Sequence, residues 1–187
     1  MKHLLLTRCK FGDKVLMKKY LEVSKKYFVP SVKNQNAKFE LGLIINPEDV
    51  EFVKNYLDLD FVEFNTIEEF INKSKDYEIQ TRHDIDDWFR FDYIKTIQDK
   101  WKKSTKDKLL IQSFPVKNEI ISKTKTRLKP YTNTRLSMHL SLCQKEPKNN
   151  IMEYKHADMY KVTDNVISLG YGLTKWIIHG ENISCKR

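Results

Sequence analysis

Apolar and polar positions along this chain switch repeatedly between two periods. His3–Thr7 is a short apolar run ending in Thr7-Arg8, the pattern of a buried first strand. Leu16, Tyr20, Val23 and Tyr27 then recur at helical spacing and predict a helix over Val15–Tyr27. Pro30-Ser31 predicts the start of a second, short helix, because proline in a first turn forfeits no hydrogen bond. Phe39–Ile45 is a nearly continuous apolar run bounded by Asn46-Pro47 and reads as an inner strand. Pro47–Leu57 reads as a helix with Glu48 and Asp49 at its positive end, and Phe61–Phe64 as a strand. Thr66–Lys73 reads as a helix opened by a Thr66…Glu69 capping box, and Tyr77–Arg82 as a strand.

Beyond that point Trp88–Trp101 is expected to be helical, with Phe91, Ile94, Ile97 and Trp101 on one face. Leu109–Phe114 reads as a strand, Lys117–Arg127 has no clear period, and Arg135–Cys143 is expected to form a short helix. Val162–Ser168 and Lys175–Ile178 read as two late strands with Gly170–Gly172 as a loop. Strands alternating with helices in units of about 20–30 residues predict an α/β fold with a mainly parallel central sheet flanked by helices. The expected organisation is a single domain over residues 1–187, either alone or as one domain of a longer polypeptide.

Composition narrows this picture. The chain is 40% hydrophobic and 12% aromatic, which suits a folded core rather than disorder. Its apolar runs are far too short to span a bilayer, and no cleavable secretory leader is expected after its opening Lys2 and three leucines. Cys9, Cys143 and Cys185 are odd in number and widely spaced, which argues against a disulfide framework and for a reducing, intracellular (cytoplasmic) setting.

Net charge is +9, but its distribution matters more than its sum. Residues 58–99 hold twelve acids against five bases (−7), and residues 100–135 eleven bases against two acids (+9). A surface that only coats nucleic acid need not place carboxylates just before its basic stretch. Acid-rich followed by base-rich is also what a metal–diphosphate site would look like, although ordinary solvated lysines account for much of the excess.

Gln80-Thr81-Arg82-His83-Asp84-Ile85-Asp86-Asp87-Trp88 is the segment richest in chemistry. A strand ending in Asp-x-Asp-Asp crowds carboxylates into one loop. Crowding raises their pKa values, and a divalent cation with hard-oxygen preference, Mg²⁺ or Mn²⁺, removes that cost. Arg82 is placed to add a bidentate phosphate contact. A bare Asp-x-Asp also arises by chance, or as the cap of a following helix.

The motif Thr81-Arg82-His83-Asp84-Ile85-Asp86-Asp87 resembles the T-R-x-D-x-D-D signature of a rhamnosyltransferase-like family with a GT-A glycosyltransferase fold. Further pieces in the same order are similar to that family: Leu5-Leu6-Thr7-Arg8, Pro30-Ser31-Val32-Lys33-Asn34-Gln35 with Phe39, Ser137-Met138, His156, and Trp176 to Ile183. Two positions depart from it, since the family often has an acid where Ile85 stands and an apolar residue where His83 stands.

The resemblance implies a nucleotide-sugar donor (a UDP-sugar favoured, a GDP- or dTDP-sugar also compatible) bound near Thr7, Arg8, Arg82 and Asp84. It implies Mn²⁺ or Mg²⁺ held by Asp84 and Asp86, with the late histidine His179 completing the shell. His156 is a weaker match than His179 for that histidine, although His156-Ala157-Asp158 could bring a base toward the acceptor; Asp87 and Asp158 are the candidate bases if the reaction inverts. The acceptor would be a glycan or glycoprotein, the sugar rhamnose or a glucose-type hexose, and the compartment the host cytoplasm if the source is viral.

Two other readings remain open. One is a nucleic-acid binder or metal-dependent nuclease using the same carboxylates and the basic stretch; the transferase reading expects no nucleic-acid partner. The other is a non-catalytic α/β domain whose acids only cap a helix.

Overall fold

A computed structural model describes residues 1–120, 126–130, 139–153 and 156–179. The element order is β1 (His3–Cys9), α1 (Lys14–Lys26), α2 (Phe28–Lys33), β2 (Glu40–Ile45), α3 (Val50–Leu57), β3 (Val62–Phe64), α4 (Ile67–Lys73), β4 (Ile79–Arg82), β5 (Trp88–Phe89), α5 (Tyr93–Lys102), β6 (Lys108–Ile120), β7 (Thr126–Pro130), β8 (His139–Gln144) and β9 (Val166–Ile178). Short 3₁₀ turns occupy Pro47–Asp49, Ser74–Asp76 and His156–Lys161.

The nine strands form one sheet in the order β3-β2-β1-β4-β8-β6-β9-β5, with β7 added on β6. Strands β1, β2, β3, β4, β6 and β9 point one way, and β5, β7 and β8 the other. This is an α/β fold with a mostly parallel central sheet. Because side chains alternate across a strand, β1 feeds two cores. Leu5 and Cys9 pack with Leu21, Phe28, Val53 and Ile97 under one helical layer. Leu4 and Leu6 pack with Phe64, Phe70, Leu142 and Met159 on the other face.

Local chemistry explains most boundaries. Asp13 caps α1 by accepting from the Val15 N–H at 2.8 Å. Helix α2 begins two residues before Pro30, which still lies in its first turn, where its missing N–H leaves nothing unpaired. The Thr66 hydroxyl accepts from Glu69 N–H at 3.0 Å, and the Glu69 carboxylate accepts from Asn65 N–H at 2.6 Å, so the expected capping arrangement forms.

Three expectations need correction. Trp88–Trp101 is not one helix. Its first two residues are β5, paired with β9, and the Arg90 N–H donates to the Leu173 carbonyl at 2.8 Å, so helical bonding starts only at Tyr93. Arg135–Cys143 is not helical where it is described. His139–Gln144 is strand β8, buried throughout between β4 and β6, while 135–138 lie outside the described residues. The two late strands are one, Val166–Ile178. Its register with β6 slips twice near Gly170 and Gly172, whose φ values of +72° and +92° suit glycine and let the strand continue through the irregularity. In the segment without a clear period, β6 runs on to Ile120 and β7 returns from Thr126.

No helix among the described residues is long and apolar enough to cross a membrane.

Candidate functional site

The site is built where β1 and β4 end side by side. The two strands are parallel, with Leu5 opposite Thr81 and Leu6 opposite Arg82. The ladder runs one residue further, the His83 N–H donating to the Leu6 carbonyl at 2.9 Å. Thr7-Arg8 and the acidic loop therefore emerge together at the carboxyl ends of inner strands, where open α/β sheets bind ligands. The loop closes on itself through a 3.1 Å bond from the Asp87 N–H to the Asp84 carbonyl, which packs three acids into one turn.

Leu6, Thr7, Arg8, Arg82, His83, Asp84 and Met152 line a cleft of ≈ 160 Å³, part of it open to solvent. At its floor the Thr7 hydroxyl oxygen is buried and bonds no protein group, an unmet polar atom that a ligand or water would satisfy. Arg8 is exposed and Arg82 half-buried. Burial lowers the Arg82 pKa, Asp84 opposes that shift, and Arg8 adds to it. Two guanidinium groups and one carboxylate thus line the cleft together.

The three acids differ sharply. Asp84 keeps access to solvent, yet its pKa is raised, first by burial of its surroundings and then by Asp86, with Arg82 and Arg8 opposing. Asp86 is buried and its Oδ2 lies 2.9 Å from His179 Nε2. Asp87 is wholly buried: Oδ2 meets His139 Nε2 at 2.9 Å and Oδ1 accepts from the Ile177 N–H at 2.8 Å. Burial, then Asp86 and Asp84, push the Asp87 pKa well up, and the Ile177 N–H opposes them. The His83 imidazole is buried too, its pKa pushed down to about 4 by that burial.

These residues fit a divalent cation. The loop carries carboxylates that destabilise each other's ionised forms, and the Asp86 and His179 donor atoms already converge at 2.9 Å. Oxygen donors with one imidazole nitrogen suit Mn²⁺ or Mg²⁺. A second group, His83, Asp87 and His139, brings one donor atom from each within 4.8 Å. Its two imidazoles are stacked, with centroids 4.3 Å apart and planes within 7° of parallel. A cation bound by both rings must lie in both planes, and stacked parallel planes do not meet. That group would have to turn one ring before it could share an ion.

The structure thus brings Thr7, Arg8, Arg82 and Asp84 into one cleft and sets Asp86 and His179 against each other. Asp87 is closed off, so direct contact with an acceptor would require the loop to open. Asp158 lies in the 156–161 turn, half-buried, with its Oδ1 3.0 Å from Lys161 Nζ. The His156 side chain, Ser137-Met138 and residues 180–183 lie outside the described residues. Trp88 carries the Lys175 ammonium over its ring at 4.4 Å.

Sequence reasoning assigned no role to three further contributors. Ser31 Oγ accepts from the Phe89 N–H at 3.1 Å. Gln35 donates to the Arg90 carbonyl at 2.8 Å and accepts from the Ile94 N–H at 3.1 Å. These two side chains clamp the segment leaving the loop, which accounts physically for the Ser31 and Gln35 of the sequence motif. His139 was missed because its run was read at the helical period; read at period two, His139 and Ser141 share one face of an inner strand.

No protein-family model matches the chain, and no curated protein sequence matches it. Among solved structures, a Desulfovibrio desulfuricans G20 protein described as a nucleotide-diphospho-sugar transferase superposes with a TM-score of 0.54. That match has 10% identity and covers 96% of this chain and 83% of the other. The chain has the nucleotide-diphospho-sugar transferase fold. Weaker likenesses include the 4-diphosphocytidyl-2C-methyl-D-erythritol synthase of Anaerococcus prevotii DSM 20548 (TM-score 0.49, 13% identity, 97% and 91% covered). Another is S. aureus TarS 1-349 in complex with UDP (TM-score 0.42, 15% identity, 88% and 49% covered). The chain spans between 23% and 49% of the TarS chains it resembles. The Desulfovibrio likeness shows the fold alone and does not extend to the rhamnosyltransferase-like family.

Proposed function

We propose that this chain is a metal-dependent glycosyltransferase that takes a sugar from a nucleoside-diphosphate donor and passes it to a glycan or glycoprotein acceptor. The observation that carries this reading is the meeting of Thr7, Arg8, Arg82 and Asp84 in one cleft, next to the Asp86–His179 pair, on a nucleotide-diphospho-sugar transferase fold. In this reading Arg8 and Arg82 grip the diphosphate, the Thr7 hydroxyl bonds the bound nucleotide, and Asp84, Asp86 and His179 hold Mn²⁺ or Mg²⁺. When bound, the cation supplies Lewis-acid stabilisation of the departing diphosphate. Of the two candidate bases, Asp158 stands in the more accessible place and Asp87 in the enclosed one.

The test is a calorimetric and thermal-shift panel of UDP, GDP, dTDP and their sugars, each with and without Mn²⁺, on wild type, Asp84→Ala and Asp86→Ala. The reading expects metal-dependent nucleotide binding, with UDP tried first, that both variants lose while staying folded. It also expects slow release of free sugar from the correct donor. Binding that ignores Mn²⁺ and both substitutions rejects the assignment. Salt-sensitive cleavage of DNA or RNA by the same carboxylates would put the nuclease reading in its place.

A further inference from the structure

The carboxylate of Asp87 pins the acidic loop to two distant strands at once. Oδ2 meets His139 Nε2 on β8, 52 residues away, and Oδ1 accepts from the Ile177 N–H on β9, 90 residues away. Ile177 is two residues before His179, whose Nε2 meets Asp86 Oδ2 at 2.9 Å. One side chain therefore sets where the loop's acids stand relative to the histidine that faces them. His139 is oriented in turn by its 4.3 Å stack on His83. The His83 Nδ1–H donates to the Asp84 carbonyl at 3.2 Å, so the circuit returns to the backbone of the first acid. Every group in this circuit except that carbonyl is buried to within a few per cent of fully enclosed, out of direct reach of a substrate.

We infer that His139, acting through Asp87, is a positioning residue that holds the loop in the shape in which Asp84, Asp86 and His179 share one cation. This rests on the reading of the loop as a metal–diphosphate site. It gives Asp87 a task other than proton abstraction. The carboxylate has no oxygen left over, and its bonds run to the scaffold rather than into the cleft. Outer groups of this kind set the orientation of ligands, and their loss typically weakens metal binding by about 10–100-fold.

The test compares full-length wild type with His139→Leu and His139→Gln. Leucine fills the volume without a donor, whereas the glutamine amide can donate to Asp87 from a similar reach. Mn²⁺ affinity is measured by calorimetry, the far-ultraviolet circular dichroism spectrum serves as a control for folding, and hydrogen exchange is followed over residues 83–89 and 174–178. Expected for His139→Leu is a Kd for Mn²⁺ weakened by about tenfold or more. Exchange should quicken in both segments while the circular dichroism spectrum is unchanged. His139→Gln should recover most of the Mn²⁺ affinity.

A His139→Leu protein that binds Mn²⁺ like wild type overturns the proposal, as does a glutamine variant no better than the leucine one. Should the leucine variant fail to fold, Asp87→Asn is the second probe. It keeps an acceptor for Ile177 and replaces the one facing His139, and wild-type Mn²⁺ affinity in it is equally fatal. Wild-type protein that binds no Mn²⁺ removes the metal reading alone. The brace is then judged by exchange, and unchanged exchange in His139→Leu overturns it.

Discussion

Replacing Asp87 by alanine should be among the most damaging single changes in the acidic loop, and its size follows from two bonds. The substitution strips partners from His139 Nε2 (2.9 Å) and from the Ile177 N–H (2.8 Å), both in a region closed to water. Each buried polar group so orphaned costs about 1–3 kcal/mol, about 2–6 kcal/mol for the pair. Against this stands relief of an unfavourably buried carboxylate, whose pKa burial and Asp86 drive up. A net loss of about 3 kcal/mol is expected, which for a chain of this length lowers Tm by about 6–12 °C.

The pH dependence carries a sign of its own. Folded Asp87 binds its proton more tightly than the unfolded carboxylate with its ordinary value of 3.8. Wild-type stability therefore declines as pH rises from 3.8 through the raised pKa, and Asp87→Ala lacks that decline. The gap between the two proteins should be widest at the acid end and narrow as pH rises, then level off. Thermal melts followed by circular dichroism at several pH values measure both features. A midpoint within about 2 °C of wild type, or a gap that widens with pH, refutes the reasoning.

Three further outcomes are expected. Asp84→Asn removes a charge whose ionised form burial and Asp86 disfavour, so the metal-free protein should melt at or above the wild-type temperature while the Mn²⁺-dependent shift with UDP disappears; a melt well below wild type contradicts this. Gln35→Ala breaks bonds to the Ser31 and Arg90 carbonyls (2.9 and 2.8 Å) and from the Ile94 N–H (3.1 Å), at a cost of about 1–3 kcal/mol by denaturant melt. Gly42→Ala would set a Cβ 2.8 Å from Phe64 Cε2 and 3.1 Å from Leu4 Cδ1, and overpacking of this kind should destabilise by about 1–3 kcal/mol with no change in nucleotide affinity per folded molecule.

The amino-terminal half of the fold was legible because each element there carries its own signal. Buried runs such as Leu4–Leu6 and Leu41–Ile45 have no polar interruption, and the helices between them announce their starts with Asp13 and Thr66. The carboxyl-terminal half was misread where identity depends on distant partners. Nothing local says that Trp88-Phe89 will pair with Thr174-Lys175, and that pairing alone keeps the first turn of the expected helix from forming. His139–Gln144 mixes His, Ser and Gln with Leu and Cys, so it lacks the apolar character of an inner strand. Its polar members are tolerated because buried partners await them: Ser141 Oγ lies 2.7 Å from Thr81 Oγ1, and the Gln144 amide donates to the Asn149 carbonyl at 2.8 Å.

The same division runs through the site. Groups that face the cleft are short-range features of sequence: Thr7-Arg8 closes one strand, Arg82-His83-Asp84 closes its neighbour, and parallel pairing of β1 with β4 is enough to bring them together. Asp86 and His179 are 93 residues apart, yet a resemblance in order along the chain was enough to name both. What pattern alone did not separate was the work of adjacent acids. Asp86 and Asp87 are neighbours in a loop of equal charges, yet one meets His179 and the other His139. Which of them meets His179 and which meets His139 is decided by β8 and β9, elements whose register the loop does not encode. The buried member with both oxygens engaged is better read as the part that makes the others' geometry possible.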